Sequence, residues 1–278
     1  MISLKSYLLL DESILGNSNE ILDTTDIEVR RQLIMKWIES ADDRKPDYDK
    51  TAYQWLGRLI RYRGIGCIRI NSNLEIETDE IIRIERVSHL GELPNYIKFG
   101  EVEGLEIEDC TVNSGYNMRG WPRKIRTFEI NNCHGFAPAV VKTSPIQKCE
   151  YLILNGNRDM TSISICQECD KLHYAGSVND NTLIPVEFTK RTPLKFKVNE
   201  EITISLVKCL TTLQFVPSSL PELYISHSSF AKSVTDLKSV GFPKTIKALS
   251  LYRCTFNGEY ITKDDLQKLL LKINITVE

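Results

Sequence analysis

Cysteine and histidine residues give this sequence its clearest possibilities for chemistry. Cys166 and Cys169 form a C-x-x-C pair, and His173 follows four residues after the second cysteine. Together they could contribute three ligands to a zinc ion, but a structural zinc site uses four, and a second C-x-x-C pair is missing. Free cysteine also behaves as a small buried hydrophobic residue. We therefore predict core cysteines, with no metal and no cofactor.

Cys110, Cys133 and Cys254 could instead supply a nucleophile. A cysteine nucleophile requires a nearby base, and His134 follows Cys133 directly. Adjacent residues of a strand face opposite sides, so this histidine would point away from the thiol. The sequence also has no P-loop, no dinucleotide-binding glycine loop and no G-x-S-x-G elbow. We predict that the protein is not an enzyme. The competing hypothesis is an enzyme that uses Cys133 or Cys169.

A repeated pattern places these cysteines. Residues 122–133 and 243–254 both read P-x-x-I-x-x-[LF]-x-[IL]-x-x-C. Its middle apolar position recurs at residues 105, 128, 152, 172, 223 and 249, and the first three steps are 23, 24 and 20 residues. Steps of this length are typical of leucine-rich repeats.

Two further strands are expected, one before residue 105 and one in the long step between residues 172 and 223. Ile82 and Ile84 add one rung upstream. Between residues 172 and 223 the best candidate is Ile202, Ile204 and Val207, and the alternative is Leu194 and Phe196.

The repeat predicts an α/β fold, a leucine-rich-repeat-like solenoid with a parallel β-sheet of about eight rungs. Its L-x-L centre alternates inward and outward as a strand does, and stacking buries the inward edge. The small polar residue that closes each unit could satisfy backbone donors where the chain leaves the strand.

Three regions are expected along the chain. Residues 1–66 form a helical N-terminal cap, with helices at 26–40 and 51–62. Residues 67–258 form the solenoid, which begins with a strand pair at 67–71 and 74–77. Residues 259–278 form a C-terminal cap with a helix that starts near Thr262.

The outward strand positions are the predicted binding surface, because solenoids commonly bind through an exposed concave sheet. The candidate protein-binding residues are Arg83, Glu85, Glu106, Glu108, Glu129, Asn131, His173, Tyr224 and Tyr252. Glu106 and Glu129 fall in one column of neighbouring strands, where like charges repel. Their presence suggests a partner with a basic surface, and Tyr224 and Tyr252 are of a type enriched at interfaces.

Composition limits the other partners. The chain has 35 basic and 37 acidic residues and a net charge of -2, so nothing draws it strongly to nucleic acid or to a membrane. No apolar run reaches the roughly 18 residues of a membrane span. The most basic aromatic region combines Arg58, Arg61, Arg63 and Arg69 with Tyr53, Trp55 and Tyr62. We interpret it as a cap helix with solvated arginines, so a nucleic-acid partner is not expected.

The eight cysteines, with no signal peptide before them, indicate reduced thiols in a cytosolic protein.

Three motifs in the first half also resemble a known family. They are R-R-x-L-I-x-x-W at Arg30–Trp37, I-N-x-x-L at Ile70–Leu74 and L-P-x-x-I-x-F-G-x-V-x-G at Leu93–Gly104. This pattern is similar to leucine-rich-repeat-like proteins encoded by tailed bacteriophages, over residues 28–135 and beyond them through the repeat alone. Trp121-Pro122 stands where that family often has Cys-Pro.

The resemblance implies a phage origin and action inside an infected bacterium, and it carries no catalytic residues. The expected function is a protein-binding solenoid in the host cytoplasm that inhibits a host or anti-phage defence protein. The alternative is a self-associating structural or assembly component of the phage. The sequence leaves the oligomeric state open.

Overall fold

A computed structural model of the chain describes twelve segments. These are residues 68–70, 76–85, 98–111, 121–135, 146–177, 184–190, 194–231, 240–241, 246–260, 262–264, 267 and 274–277. The helices expected at 26–40 and 51–62 lie outside them, as do most of the expected C-terminal helix and the basic aromatic cluster apart from Arg69.

A large sheet with parallel neighbours organises the chain. Its strands are β1 (Ile68–Ile70), β2 (Ile76–Glu85), β3 (Phe99–Glu108), β4 (Lys124–Asn131), β5 (Lys148–Asn155), β6 (Glu168–Ala175), β7 (Lys197–Ser205), β8 (Glu222–Ser226), β10 (Ala248–Tyr252) and β13 (Asn274–Val277). They are hydrogen-bonded in the order β1-β2-β3-β4-β5-β6-β7-β8-β10-β13. Only β1 and β2 are antiparallel among these pairs. The result is a parallel-sheet solenoid.

The repeat pattern explains the register of this sheet. The middle apolar positions pair laterally from strand to strand, as Leu105 with Phe128 and Leu152 with Leu172. The next apolar position, two residues later, forms a second buried column that includes Ile107, Ile130 and Leu154. Each rung thus adds two side chains to one continuous core, since alternate residues of a strand point the same way.

The return arms contain little helix. A single turn of helix, α1 (Val186–Thr189), inserts Phe188 between Tyr174 and Phe215, with ring centroids 4.8 and 5.1 Å away. A second sheet of three short strands has the order β12-β11-β9, where β9 is Ser229–Phe230, β11 is Thr255–Phe256 and β12 is Glu259–Tyr260. Phe230 stacks on Phe256 at 4.2 Å, so this small sheet closes the core behind β8 and β10.

The predicted strand positions agree with the described chain. Ile82 lies in β2, and the long step after residue 172 contains β7, with Ile202 and Ile204 buried. The alternative residues Leu194 and Phe196 lie outside any strand. Of the expected strand at 74–77, Ile76 and Glu77 lie in β2 together with the first rung, and β1 pairs with β2; residues 74 and 75 lie outside the described residues. The sheet also continues past residue 258, because β13 pairs with β10.

Candidate functional site

The outward residues of the large sheet form the surface on which the predicted binding residues lie, here called the outer sheet face. Two register columns carry these residues. The first is Arg83, Glu106, Glu129, Ile153, His173, Thr203, Tyr224 and Ser250, and the second is Glu85, Glu108, Asn131, Asn155, Ala175, Ser205, Ser226 and Tyr252. The backbone register therefore places all nine predicted residues in two adjacent columns. Their role in binding stays a prediction.

The N-terminal end of this face is acidic. β3 contains four glutamates and neither lysine nor arginine. Glu106 and Glu129 are direct register partners on parallel strands, where backbones lie about 4.8 Å apart. Both side chains are half-buried, and the Asn131 amide donates a hydrogen bond to Glu129 Oε1 at 2.7 Å. Glu108 pairs in register with Asn131 in the second column, next to the same amide.

Charges in the middle of the sheet compensate each other. Lys148 Nζ lies 3.6 Å from Glu168 Oε1 and 3.9 Å from Asp170 Oδ1, and Asn199 donates to both carboxylates. The Asn199 hydrogen bond is the main cause that lowers the pKa of Glu168. Arg126 similarly bridges two glutamates of the neighbouring strands, Glu103 and Glu150. Ion pairs therefore link neighbouring strands from β3 to β7, whereas glutamates are concentrated in β3.

The C-terminal end of the face is aromatic. Tyr224 is 36% exposed, and its hydroxyl donates to Glu222 Oε2 at 2.8 Å, which raises the tyrosine pKa. Tyr252 lies one strand further, with the His227 ring 5.1 Å away and the Arg253 guanidinium 5.1 Å from its ring centroid. Two basic side chains thus share one tyrosine ring. The sequence had indicated the tyrosines but gave no reason to connect them with His227 and Arg253.

The last repeat position is a buried polar ladder where the chain leaves each strand. Asn157 is 3% exposed; its Nδ2 donates to the Ile130 carbonyl oxygen at 2.8 Å and its Oδ1 accepts from the Cys133 amide at 2.9 Å. Cys133 Sγ in turn accepts from the Cys110 amide at 3.4 Å. The expectation that small polar groups satisfy backbone donors there is confirmed for these rungs.

The thiols in this ladder are poorly placed for nucleophilic chemistry. The hydrogen bond with Cys110 and burial raise the pKa of Cys133 far above its ordinary value, and burial raises the pKa of Cys254 to about 11. His134 faces outward and lies 3.3 Å from Asp159 Oδ2 through its Nδ1. The histidine is therefore engaged away from the neighbouring thiol.

The C-x-x-C pair lies in the core, as expected. Cys169 pairs in register with Cys149, and both are fully buried, while Cys166 is 6% exposed. Hydrogen bonds among the three thiols lower the pKa of Cys149 and raise the pKa values of Cys166 and Cys169. His173 is exposed on the opposite face of β6, so it cannot be the third ligand that the sequence suggested. Within the described ranges, no group of three or more histidine, cysteine or acidic residues is arranged to hold a metal ion.

A buried carboxylate in the return arm was missed by the sequence interpretation. Glu187 of α1 is 1% exposed and accepts hydrogen bonds from the hydroxyls of Ser162 and Ser164 and from the Ile163 amide. Glu187 connects α1 to the preceding rung. Its segment falls in the irregular step between residues 172 and 223, where no repeat marked it.

In comparisons with known proteins, no family model, no curated protein and no solved structure matched this chain. No helix among the described residues is both long and apolar enough to span a membrane. The function must therefore be inferred from the chain's own residues.

Proposed function

We propose that the chain is a non-enzymatic, leucine-rich-repeat-like solenoid that binds a protein partner with a basic surface through the acidic end of its outer sheet face. The observation that carries this proposal is the register pairing of Glu106 with Glu129. Two carboxylates on neighbouring strands repel each other, which costs about a few tenths of a kcal/mol or more. A partner's lysines or arginines would relieve that repulsion on binding.

The surrounding charges support the same partner. β3 contains four glutamates and no lysine or arginine, so acidic side chains are concentrated on this strand. Complementary charge mainly sets specificity and the rate of encounter, so binding should weaken as salt rises. The thiols of Cys133 and Cys169 are buried, and Cys133 Sγ donates to backbone carbonyl oxygens, which favours a structural role over catalysis.

The biological setting proposed here rests on the resemblance of residues 28–135 to phage-encoded proteins. In that setting the partner is a host or anti-phage defence protein in the cytoplasm of an infected bacterium, and the chain inhibits it. Helical caps at both ends of the solenoid belong to the same proposal.

A charge-reversal capture experiment tests the binding face. The bait carries Glu106→Lys with Glu129→Lys, and its matched control carries Glu259→Lys with Asp264→Lys, two exposed acidic residues outside the face. The wild-type protein and the control should capture the same stoichiometric partner from bacterial lysate, and salt should release it. The face variant should lose the partner while its circular dichroism spectrum remains that of the folded wild type.

Two results would contradict this proposal. Equal capture by the face variant would remove the outer sheet face from the interaction. A regular oligomer of the isolated protein on size-exclusion chromatography, with no captured partner, would favour the self-associating component instead.

A further inference from the structure

The turns that follow the strands share an uncommon backbone conformation. The residue directly after the strand has positive φ at six rungs, namely Asp109, Asn132, Gly156, Leu206, His227 and Arg253, with φ between 47° and 62°. Each of the first five donates its amide hydrogen to the last residue of the next strand, as Leu206 does to Ser226 and His227 to Tyr252. The turns therefore stack in line along one edge of the sheet.

The residue types at this position change along the chain. Asp109, Asn132 and Gly156 are of the types that tolerate the left-handed region. Leu206 and Arg253 are not, because a bulky side chain is strained there. Leu206 is also 38% exposed, so its apolar surface remains in water. The stacked turns account for the backbone conformation but not for an exposed leucine at this position, which points to a role at the surface.

The three late residues form a surface here called the turn ridge, which consists of Leu206, His227 and Arg253. His227 and Arg253 are exposed and both contact the Tyr252 ring, with distances of 5.1 Å. The tyrosine holds the two basic side chains at one place beside the apolar Leu206. The ridge and its tyrosine thus combine an arginine and an aromatic ring, residue types that are enriched at binding hot spots, with an exposed apolar side chain.

The turn ridge carries the guanidinium of Arg253 and no carboxylate of its own. The first acidic residue after Arg253 is Glu259 in β12, which pairs in register with Phe256. The equivalent turn after β3 begins with Asp109, and β3 itself is acidic. The two ends of the same sheet edge therefore suit ligands of opposite charge.

We propose that the turn ridge, together with Tyr252, binds an acidic peptide segment that carries one large apolar side chain. The apolar side chain would pack against Leu206 and Tyr252, and a flanking carboxylate would face Arg253. An acidic peptide fits better than a nucleic acid for two reasons. The exposed leucine has no group that could bind a phosphate, and the acidic end of the sheet would repel a polyanion. This site is separate from the acidic face proposed above and has the opposite charge preference.

Fluorescence anisotropy with defined probes tests the turn ridge on the full chain. The probes are a short Asp/Glu-rich peptide with one central phenylalanine, the same peptide with Asn/Gln in place of the acids, and a single-stranded oligonucleotide. The acidic peptide should bind about tenfold more tightly than the neutral one, because a charged contact at a hot spot confers a difference of that size. Added salt should reduce this difference in affinity.

Three variants separate the contributions of the turn ridge. Arg253→Asn keeps a residue that tolerates the turn and should weaken binding of the acidic peptide about tenfold. Leu206→Gly should weaken it severalfold while raising the thermal midpoint, because glycine relieves the left-handed strain. Lys247→Gln removes a positive charge from the other end of β10, where the side chain is exposed, and should leave the affinity unchanged.

Any of three outcomes would overturn the inference. Unchanged peptide affinity in Arg253→Asn would remove the cationic contact, and unchanged affinity in Leu206→Gly would remove the apolar one. An oligonucleotide that binds as tightly as the peptide, and whose affinity is unchanged in Leu206→Gly, would identify a nucleic-acid surface instead. The acidic face could still bind its basic partner in each case, so failure here is distinguishable from failure of the proposed function.

Discussion

Replacement of Asn157 by alanine should destabilise the solenoid more than any exposed substitution. The amide of Asn157 links three segments, because it donates to the Ile130 carbonyl and accepts from the Cys133 amide at 2.8 and 2.9 Å. The side chain is 3% exposed, so water cannot readily replace it. Asn157→Ala therefore leaves one buried donor and one buried acceptor without partners.

The expected loss of unfolding free energy follows from the two groups left unpaired, the Cys133 amide and the Ile130 carbonyl. Each buried polar group that loses its partner costs about 1–3 kcal/mol. We expect Asn157→Ala to lower the free energy of unfolding by about 3 kcal/mol when the two losses are combined. At about 2–4 °C per kcal/mol for a domain of this size, the thermal midpoint should fall by roughly 6–12 °C.

Urea unfolding followed by circular dichroism measures this difference, and amide hydrogen exchange locates it. The Cys133 amide should exchange faster in Asn157→Ala, whereas the His134 amide, bonded to the Cys110 carbonyl, serves as a local reference. The control is Asn155→Ala, since Asn155 lies two residues earlier and points to the outer sheet face. A loss below about 1 kcal/mol, or equal losses in the two variants, would refute the assignment of Asn157 as a structural bridge.

Three other variants test the return arms and the thiols. Glu187→Ala should lower the unfolding free energy by about 3 kcal/mol, because two serine hydroxyls and an amide lose their acceptor. Glu187→Gln keeps one acceptor and should lose less in the same denaturant titration; equal losses would contradict this. Gly176→Ala would set a Cβ against a backbone carbonyl oxygen and should reduce the thermal midpoint more than Gly258→Ala, which meets open space at φ 85°; the reverse order would be inconsistent with the packing. Cys209 is exposed, so Cys209→Ser should remove a fast phase of thiol labelling, whereas buried Cys254, with its pKa raised to about 11, should react only on unfolding. Fast labelling of Cys254 would show that it is accessible.

The sequence predicted the sheet well because the sheet follows a simple period. The alternation of Leu105 and Ile107, repeated every 20 to 24 residues over the first rungs, determines both the inward columns and the register. The columns of the outer sheet face follow from that register. Asn157 could be placed at a polar turn position for the same reason.

Features outside this period could not be predicted. β9, β11 and β12 have two residues each, too few to show alternation. Glu187 is a charged residue in an apolar core, and nothing in its neighbours signals the serines that bind it. Leu206 gives no local signal of its left-handed backbone, because that conformation is imposed by the stacked turns.

The lateral pairing of the rungs has a mechanical consequence. Each inner strand of the large sheet is hydrogen-bonded to the strands on either side of it, as β4 is to β3 and β5. A chain pulled from its ends should therefore yield rung by rung rather than in one break. The 23 residues from Leu105 to Phe128 would release about 80 Å of extended chain, at roughly 3.5 Å per residue. Under tension the molecule would lengthen in steps, and the size of each step would report the length of one repeat.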